Sequence, residues 1–210
     1  MMPRVAKAGV TLAAIAAICA SLVAATHRLT TDRITANERA WLERSLQPAL
    51  GDVRYDGSIS ESKVVLEAPH DLPGNDAAII YRVYSGGAPA AALFAVTAQN
   101  GYAGPIRILV GLRADRSVTG IRILEHRETP GLGDGIEVAR SDWVYQFDGL
   151  SLGNPPLDAW RLRTDGGRFD HLTGASVTPR AVVKAIRETL LYFDAHQAEI
   201  FDMPATAASQ

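Results

Sequence analysis

A short segment rich in hydroxyl side chains runs from a predicted loop into a predicted helix. It reads FDHLTGASVTPRAVVKAI, and its hydroxyls and central glycine are Thr173, Gly174, Ser176 and Thr178. Because Thr is a favoured N-cap and Pro179 suits the first helical position, Thr178 is predicted to cap the helix. A helix N-terminus also carries free N–H groups and a partial positive charge that attract phosphate. The segment therefore predicts that Thr178 is a helix cap, an attachment point for a phosphate, or both.

A second segment, ETPGLGDG, concentrates glycine as phosphate-binding loops do. Gly131, Gly133 and Gly135 alternate with other residues. However, Ile136 stands where the dinucleotide fingerprint needs its third glycine, and no Gly-Lys-Ser/Thr follows. The simplest interpretation is a tight connection between two elements. The functional alternative is a backbone surface that a flat ring can approach closely, because glycine has no Cβ.

Composition and spacing disfavour several other chemistries. The single cysteine, Cys19, lies in an apolar run, so the rest of the chain offers no disulfide, iron–sulfur cluster or cysteine nucleophile. His126 and His171 each stand beside an acidic residue without a zinc-ligand spacing, and no metal site is predicted. Ser176 lies in GASVT rather than in G-x-S-x-G, which disfavours a hydrolase. A formal charge of −2 excludes a broad basic surface for nucleic acid.

The N-terminal part of the chain contains an uncharged apolar run at residues 8–25. As a helix this run would span about 27 Å, which matches a hydrocarbon core. Arg4 and Lys7 precede it without an acidic neighbour, so the positive-inside rule keeps residues 1–7 in the cytoplasm. The alternative is a signal peptide cleaved after residues 23–25, but the run is longer than the usual apolar region of about 7–15 residues. A buried helix of a soluble protein is a third interpretation.

The remainder of the chain predicts an α+β domain with a mainly antiparallel sheet. A helix is expected from an N-cap among residues 30–32 to about Leu46, followed by loops with a short strand around residues 64–66. Apolar segments separated by turn residues predict strands at residues 77–84, 90–98, 105–112 and 118–126. Apolar residues alternate within these strands, so one face of the sheet is expected to be buried. Strands without intervening helices favour antiparallel pairing.

The C-terminal part of the domain is predicted to be less regular. A short helix is expected to open at Ser141-Asp142 and to run through Phe147. Residues 160–163 and 168–171 are predicted to form a last hairpin. A helix from Pro179 to about Phe193 has apolar residues at three- and four-residue spacing, which predicts that one of its faces packs on the sheet.

Taken together, these segments resemble a known family. The run DHLTGASVT, residues 170–178, resembles the flavinylation motif D-x-x-(S/T)-G-A-T-x-T of covalent FMN-binding domains. Further segments, in the same order along the chain, look like the G subunit of the Rnf electron transport complex: GYAGPIRILVG, EHRETPGLGDGIE, SDWVYQF and TPRAVVKAIRETL. The C subunit of the sodium-translocating NADH:quinone reductase is a relative that shares the motif. It is generally longer, and Pro179 after the motif suits the Rnf branch better.

The resemblance implies a flavin cofactor and the residues that hold it. Thr178, the last residue of the motif, would carry FMN through a phosphoester that a separate flavin transferase makes from FAD with a divalent metal. Ser176 replaces the usual Thr, which keeps the hydroxyl and removes a methyl group. The other residues expected at the cofactor are Asp170, Thr173, Gly174 and Ala175 in the motif, and Glu128, Thr129, Gly131, Leu132 and Gly133 beside the flavin ring.

The resemblance also implies how the chain is organised. A cytoplasmic N-terminus at residues 1–7 leads into a single transmembrane helix at residues 8–26 and a stalk helix at residues 27–47. An FMN-binding domain at residues 48–195 and a tail at residues 196–210 complete the chain. The expected location is the bacterial inner membrane, crossed once, with the C-terminal domain in the periplasm.

The function that the resemblance implies is electron relay. Through its covalent FMN, the protein would pass electrons between partner subunits of a complex that couples electron transfer between ferredoxin and NAD to ion movement. No independent turnover of a small substrate is expected. The alternatives are a C-type subunit of a sodium-translocating NADH:quinone reductase and an unflavinylated, membrane-tethered assembly module. A periplasmic hydrolase that uses Ser176 is disfavoured because no triad is visible.

Overall fold

The computed structural model describes the backbone of residues 2–205. It does not describe the side chains of residues 2–7, 11, 25–36 and 38–39. The chain divides into two compact units, Met1–Leu42 and Glu43–Gln210. The predicted tail at residues 196–210 lies outside the described residues from residue 206 onwards.

The first unit is helical, and its helix, α1, extends over Met2–Leu46. The predicted helix start at residues 30–32 is wrong, because α1 passes through these residues without a break. The sequence contains no Pro or Gly from residue 10 to residue 46, so nothing interrupts the ladder of backbone hydrogen bonds. Among the residues that the structure describes, no helix combines the length and the apolar character needed to cross a membrane. The predicted anchor at residues 8–26 includes residues 11, 25 and 26, whose side chains lie outside the described set.

The second unit is built on a five-stranded antiparallel sheet in which neighbours along the chain are neighbours in the sheet. This confirms the predicted antiparallel α+β domain. Its strands are β1 Lys63–Leu66, β2 Ala78–Ser85, β3 Ala88–Ala98, β4 Ile106–Arg113 and β5 Val118–Glu125. All five lie within a residue or two of their predicted positions, because alternating apolar residues and turn residues mark strand ends clearly.

Both faces of the sheet are buried at its centre, not one as expected. Phe94 and Ile108 belong to the main hydrophobic core, whereas Leu93 and Leu109, which point to the opposite face, are also fully buried. On that opposite face the Thr119 hydroxyl donates a 2.5 Å hydrogen bond to the carbonyl oxygen of Ala49. The segment that follows α1 is thereby fixed against the centre of the sheet.

The main core is closed by a second long helix, α2, at Val177–Asp202. Its predicted apolar face is buried along Val182, Ile186, Leu190 and Phe193, and the Phe193 ring meets the Phe94 ring edge-on at 5.6 Å. The helix begins two residues earlier and ends nine residues later than expected. It is longer because the residues after Phe193 contain no Pro or Gly before Pro204.

The connection between β5 and α2 is irregular and is held by aromatic side chains. Trp143, Phe147, Trp160 and Phe169 form a buried cluster with ring centroids 4.7–6.4 Å apart. The predicted short helix is a 3₁₀ helix at Trp143–Phe147. The predicted hairpin of residues 160–163 and 168–171 is wrong: the segments share one parallel bridge, Leu162 with Phe169. The aromatic rings point into the cluster, so packing rather than strand pairing determines this segment.

Candidate functional site

An open cavity of about 440 Å³ lies between two loops and the first turn of α2. The first loop is ETPGLGDG after β5, and the second is the turn that leads into α2. The residues that line the cavity are Tyr102, Glu128, Thr129, Leu132, Gly133, Gly174, Ala175, Ser176, Val177 and Thr178. The two segments singled out from the sequence are therefore adjacent in the fold, at a cavity large enough for a small ligand.

Thr178 is the second residue of α2 and is only 1 % exposed. The predicted role as N-cap is wrong, because Ser176 occupies the N-cap position and makes no side-chain capping hydrogen bond. The Thr178 hydroxyl instead donates a hydrogen bond to the Oε2 atom of Glu128. The hydroxyl therefore points toward the first loop rather than back onto its own helix.

Glu128 is 4 % exposed, and a short network of hydrogen bonds fixes its position. Its Oε1 atom accepts a hydrogen bond of 3.1 Å from the Ala103 N–H. Its own N–H donates to the Nδ1 atom of His126 at 3.0 Å. Because Nδ1 is the acceptor, the His126 proton lies on Nε2, which faces the Glu137 carboxylate at 2.5 Å. Backbone and side chain together aim the Glu128 carboxylate at Thr178.

Gly133 brings the first loop into contact with this pair. A Cβ atom at Gly133 would lie 2.9 Å from the Oε2 atom of Glu128 and 3.0 Å from the Oγ1 atom of Thr178. A side chain at this position would force Glu128, Thr178 or the loop to shift, so glycine favours this close approach. The loop is closed by the Gly133 N–H, which donates to the Thr129 carbonyl at 3.0 Å.

The second loop is a tight turn that packs on the first. The Ala175 N–H donates to the Leu172 carbonyl at 3.0 Å, and Gly174 adopts a φ of 79°, which favours glycine. A Cβ atom at Gly174 would lie 3.0 Å from the Leu132 side chain. The two predicted segments thus meet through Gly174 and Leu132 as well as through Thr178 and Glu128.

Three predicted site residues do not line the cavity. Asp170 pairs with Arg163 at 2.9 Å, and its carbonyl accepts a 2.7 Å hydrogen bond from the Trp143 indole. Gly131 donates its N–H to the Asp134 carboxylate at 2.8 Å. Thr173 lies in the turn outside the cavity lining. Asp170 and Gly131 shape the two loops from outside the cavity.

Two residues that line the cavity were not predicted. Tyr102, in the turn between β3 and β4, is 71 % exposed, and Val177, the first residue of α2, is 41 % exposed. With the exposed Leu132 they form an apolar rim. A signal was present in GYAGP, where an aromatic residue stands in a glycine-rich turn.

Among the described residues, no group of three or more His, Cys, Asp or Glu side chains is placed to bind a metal.

Comparisons with known proteins show what the two parts of the chain resemble. The FMN-binding domain family model matches residues 101–191, which contain both loops and Thr178. The RnfG N-terminal region model matches residues 1–48. The structure of Shewanella oneidensis NqrC is similar in fold, with a TM-score of 0.56 at 18 % identity, over 80 % of this chain and 100 % of that chain. The part of the chain that forms the cavity is therefore similar to FMN-binding domains.

Relatives that align along most of the chain show the family to which it belongs. The G subunit of the ion-translocating oxidoreductase complex from Pseudoalteromonas atlantica is 38 % identical over 98 % of this chain and 96 % of its own. The Shewanella baltica G subunit is 40 % identical over 94 % of this chain and 93 % of its own. The Pseudomonas aeruginosa G subunit is 42 % identical over 85 % of this chain and 84 % of its own. The chain belongs to the family of G subunits of ion-translocating oxidoreductase complexes, which confirms the predicted family.

Proposed function

We propose that the chain carries FMN covalently, through a phosphoester to the Thr178 hydroxyl, and relays electrons within an Rnf-type complex. The observation that carries this proposal is the position of Thr178 at the cavity, in the first turn of α2 and within the FMN-binding domain. Backbone N–H groups in the first turn of a helix lack intrahelical partners and favour a phosphate nearby. Thr178 thus combines an attachment hydroxyl with a favourable electrostatic environment.

The cavity suits a flat ring attached through such a phosphate. Gly133 and Gly174 leave their parts of the wall free of side chains, and Tyr102, Leu132 and Val177 supply apolar contact at the rim. In this arrangement Thr129, Ala175 and Ser176 contact the cofactor from the loops. Asp170, Thr173 and Gly131 then maintain the shape of the two loops. The exposed rim leaves one side of the ring accessible to a redox partner.

A covalent link has a physical advantage for a redox protein outside the cytoplasm. A tethered cofactor is held at high effective concentration and is not lost by dilution. FMN supplies the redox chemistry, and the protein supplies its position and its surroundings. The protein then needs no substrate pocket of its own and acts as an electron-transfer part of an oxidoreductase.

We propose the membrane topology expected from the sequence. Residues 1–7 lie in the cytoplasm, residues 8–26 cross the inner membrane, residues 27–47 form a stalk, and residues 48–195 form the FMN-binding domain in the periplasm. Support comes from large apolar side chains that are exposed on α1: Val10, Leu12, Ile15, Ile18, Leu22 and Val23. Exposed apolar surface of this extent is characteristic of a membrane or protein contact.

The partners follow from the complex to which the relatives belong. The relatives are named as the G component of an ion-translocating oxidoreductase complex, so the partners are other subunits of that complex. A flavin transferase is required once to attach FMN from FAD. The C-type subunit of a sodium-translocating NADH:quinone reductase is a weaker alternative, since NqrC shares the fold at 18 % identity.

The proposal is tested with the full-length chain produced together with a flavin transferase. The purified protein is denatured, separated on a gel and viewed under ultraviolet light, beside Thr178→Ala and Thr178→Ser. The expected result is fluorescence that survives denaturation in wild type and in Thr178→Ser and is absent in Thr178→Ala. A colourless wild type, beside a flavinylated control protein from the same cells, would support the unflavinylated assembly module instead.

A further inference from the structure

We infer that Glu128 is the general base that removes the proton from the Thr178 hydroxyl when the flavin is attached. The chain then supplies the base for its own modification. This role rests on the proposed attachment at Thr178. It concerns the reaction that forms the bond rather than the later passage of electrons.

The geometry of the pair meets the requirement for a base. An alcohol is a weak nucleophile until a neighbouring group takes its proton, and that group must lie within hydrogen-bond reach. The Thr178 hydroxyl already donates its proton to the Oε2 atom of Glu128. No rearrangement is needed to bring the two atoms together.

Hydrogen bonds hold the Glu128 carboxylate in place. The Ala103 N–H occupies Oε1, and the bond from the Glu128 N–H to His126 fixes the backbone beneath it. Within the described part of the chain, no Lys or Arg forms an ion pair with Glu128. A buried carboxylate needs hydrogen-bond donors, and here one of its donors is the reacting hydroxyl.

Burial makes an external base harder to supply. Thr178 is 1 % exposed, and the cavity through which its hydroxyl is reached must admit the incoming phosphorus atom. A side chain of the transferase would have to enter the same space and compete with Glu128 for the same proton. Glu128 contacts the hydroxyl from within the fold and leaves that space free.

Attachment transfers the flavin monophosphate part of FAD to Thr178. The Oγ1 atom of Thr178 forms a bond to the flavin-side phosphorus of a flavin dinucleotide, FAD. The bond between that phosphorus and the bridging oxygen breaks, and AMP leaves with the oxygen. The hydroxyl proton passes to the Oε2 atom of Glu128 and from there to solvent. No oxidation or reduction takes place.

The test measures the rate of flavin attachment to full-length protein purified from cells that lack a flavin transferase. Transferase, FAD and a divalent metal are added, and the adduct is followed by intact mass. Glu128→Gln keeps the shape of the side chain but removes the base. Glu188→Gln makes the same change in charge on the same helix as Thr178 but away from the cavity, and it is the matched control. Glu128→Ala is measured with sodium formate and with sodium chloride, and circular dichroism shows whether each variant is folded.

General-base catalysis contributes a factor of about 100 or more, so Glu128→Gln is expected to slow attachment about 100-fold, with Glu188→Gln at the wild-type rate. Formate, but not chloride, is expected to accelerate Glu128→Ala, because it restores a carboxylate in the space left by the side chain. Attachment to folded Glu128→Gln at the wild-type rate, or no acceleration by formate, would overturn the assignment. If Glu128→Gln does not fold, the formate experiment decides. Absence of any adduct on wild type would contradict the attachment at Thr178 itself.

Discussion

The Thr178 hydroxyl donates a hydrogen bond to the Glu128 carboxylate across 50 residues of sequence, and both side chains are buried. This bond joins the first turn of α2 to the loop that follows β5. The cavity lies beside this bond. One contact therefore holds the loop against α2 and orients the hydroxyl that is proposed as the attachment point. Folding and cofactor attachment are therefore expected to respond together to changes at this point.

Gly133→Ala is expected to reduce both the stability of the fold and the attachment of the cofactor. A methyl group at this position would lie 2.9 Å from the Oε2 atom of Glu128, so the loop or the Glu128 side chain must shift, which disturbs the contact with Thr178. Overpacking of this kind destabilises a protein by about 1–3 kcal/mol. The melting temperature and the adduct yield are both expected to fall. Gly153→Ala is the control, because a Cβ atom there meets no other atom within 4 Å; an unchanged adduct yield in Gly133→Ala would contradict the close approach.

Arg82→Met is expected to loosen the C-terminal end of α2. The Arg82 side chain is buried, and its guanidinium donates to the carbonyl oxygens of Phe201 and Met203. Leaving such acceptors unsatisfied costs about 1–3 kcal/mol, which denaturant unfolding can measure. Arg107→Met changes an exposed Arg that pairs with Glu125 at 3.6 Å, and it is expected to stay within about 0.5 kcal/mol of wild type. Equal losses for the two variants would contradict this role of Arg82.

The pair of Asp165 and Arg180 is expected to give a small acid-dependent contribution to stability. Hydrogen bonds of 2.7 and 2.9 Å from the Arg180 guanidinium lower the pKa of Asp165 below its usual range. A carboxyl group with a lowered pKa in the folded state stabilises the fold above its ordinary pKa of about 3.9. This contribution is lost as the pH falls through the lowered value.

Melting temperatures of wild type and Asp165→Asn across this range test the contribution. The difference between the two proteins is expected to be present at neutral pH and to disappear in acid. It is expected to be small, because the pair is at the surface and is screened by solvent. A difference that grows as the pH falls would contradict the direction of the pKa shift.

Ser176→Thr tests the departure from the flavinylation motif. Ser176 is exposed at the cavity wall and makes no side-chain capping bond, and threonine keeps its hydroxyl. Attachment of FMN and thermal stability are both expected to match wild type, with a change in stability within about 0.5 kcal/mol. Loss of the adduct in Ser176→Thr, measured by intact mass, would show that the methyl group is not tolerated at this position.

The sheet and the position of α2 could be predicted because they depend on local patterns. Alternating apolar residues between turns define β2 to β5, and the three- and four-residue spacing along α2 defines its buried face. The structure of residues 160–171 could not be predicted correctly, and the hairpin expected there does not form. There Trp160 and Phe169 pack into an aromatic cluster formed with residues well separated in sequence, and that packing overrides strand pairing.

The two segments that form the site could be predicted from the sequence, but the contacts between them could not. Gly133 and Thr178 stand out by residue type in their segments, and the structure brings them together. The hydrogen bond from Thr178 to Glu128 leaves no local trace, because its partners are 50 residues apart. The N-cap prediction failed for the same reason: Thr-Pro is typical of a helix start, but a distant acceptor turns the hydroxyl away from its own helix.

The most direct test of the proposed function locates the flavin in the chain. Trypsin cleaves after Arg168 and Arg180, which releases residues 169–180 with Thr173, Ser176 and Thr178 on one peptide. Tandem mass spectrometry of protein made with a flavin transferase is expected to find FMN, less one water, on this peptide, with the fragment ions assigning it to Thr178. An unmodified peptide, or FMN on any other residue, would contradict the proposed attachment at Thr178.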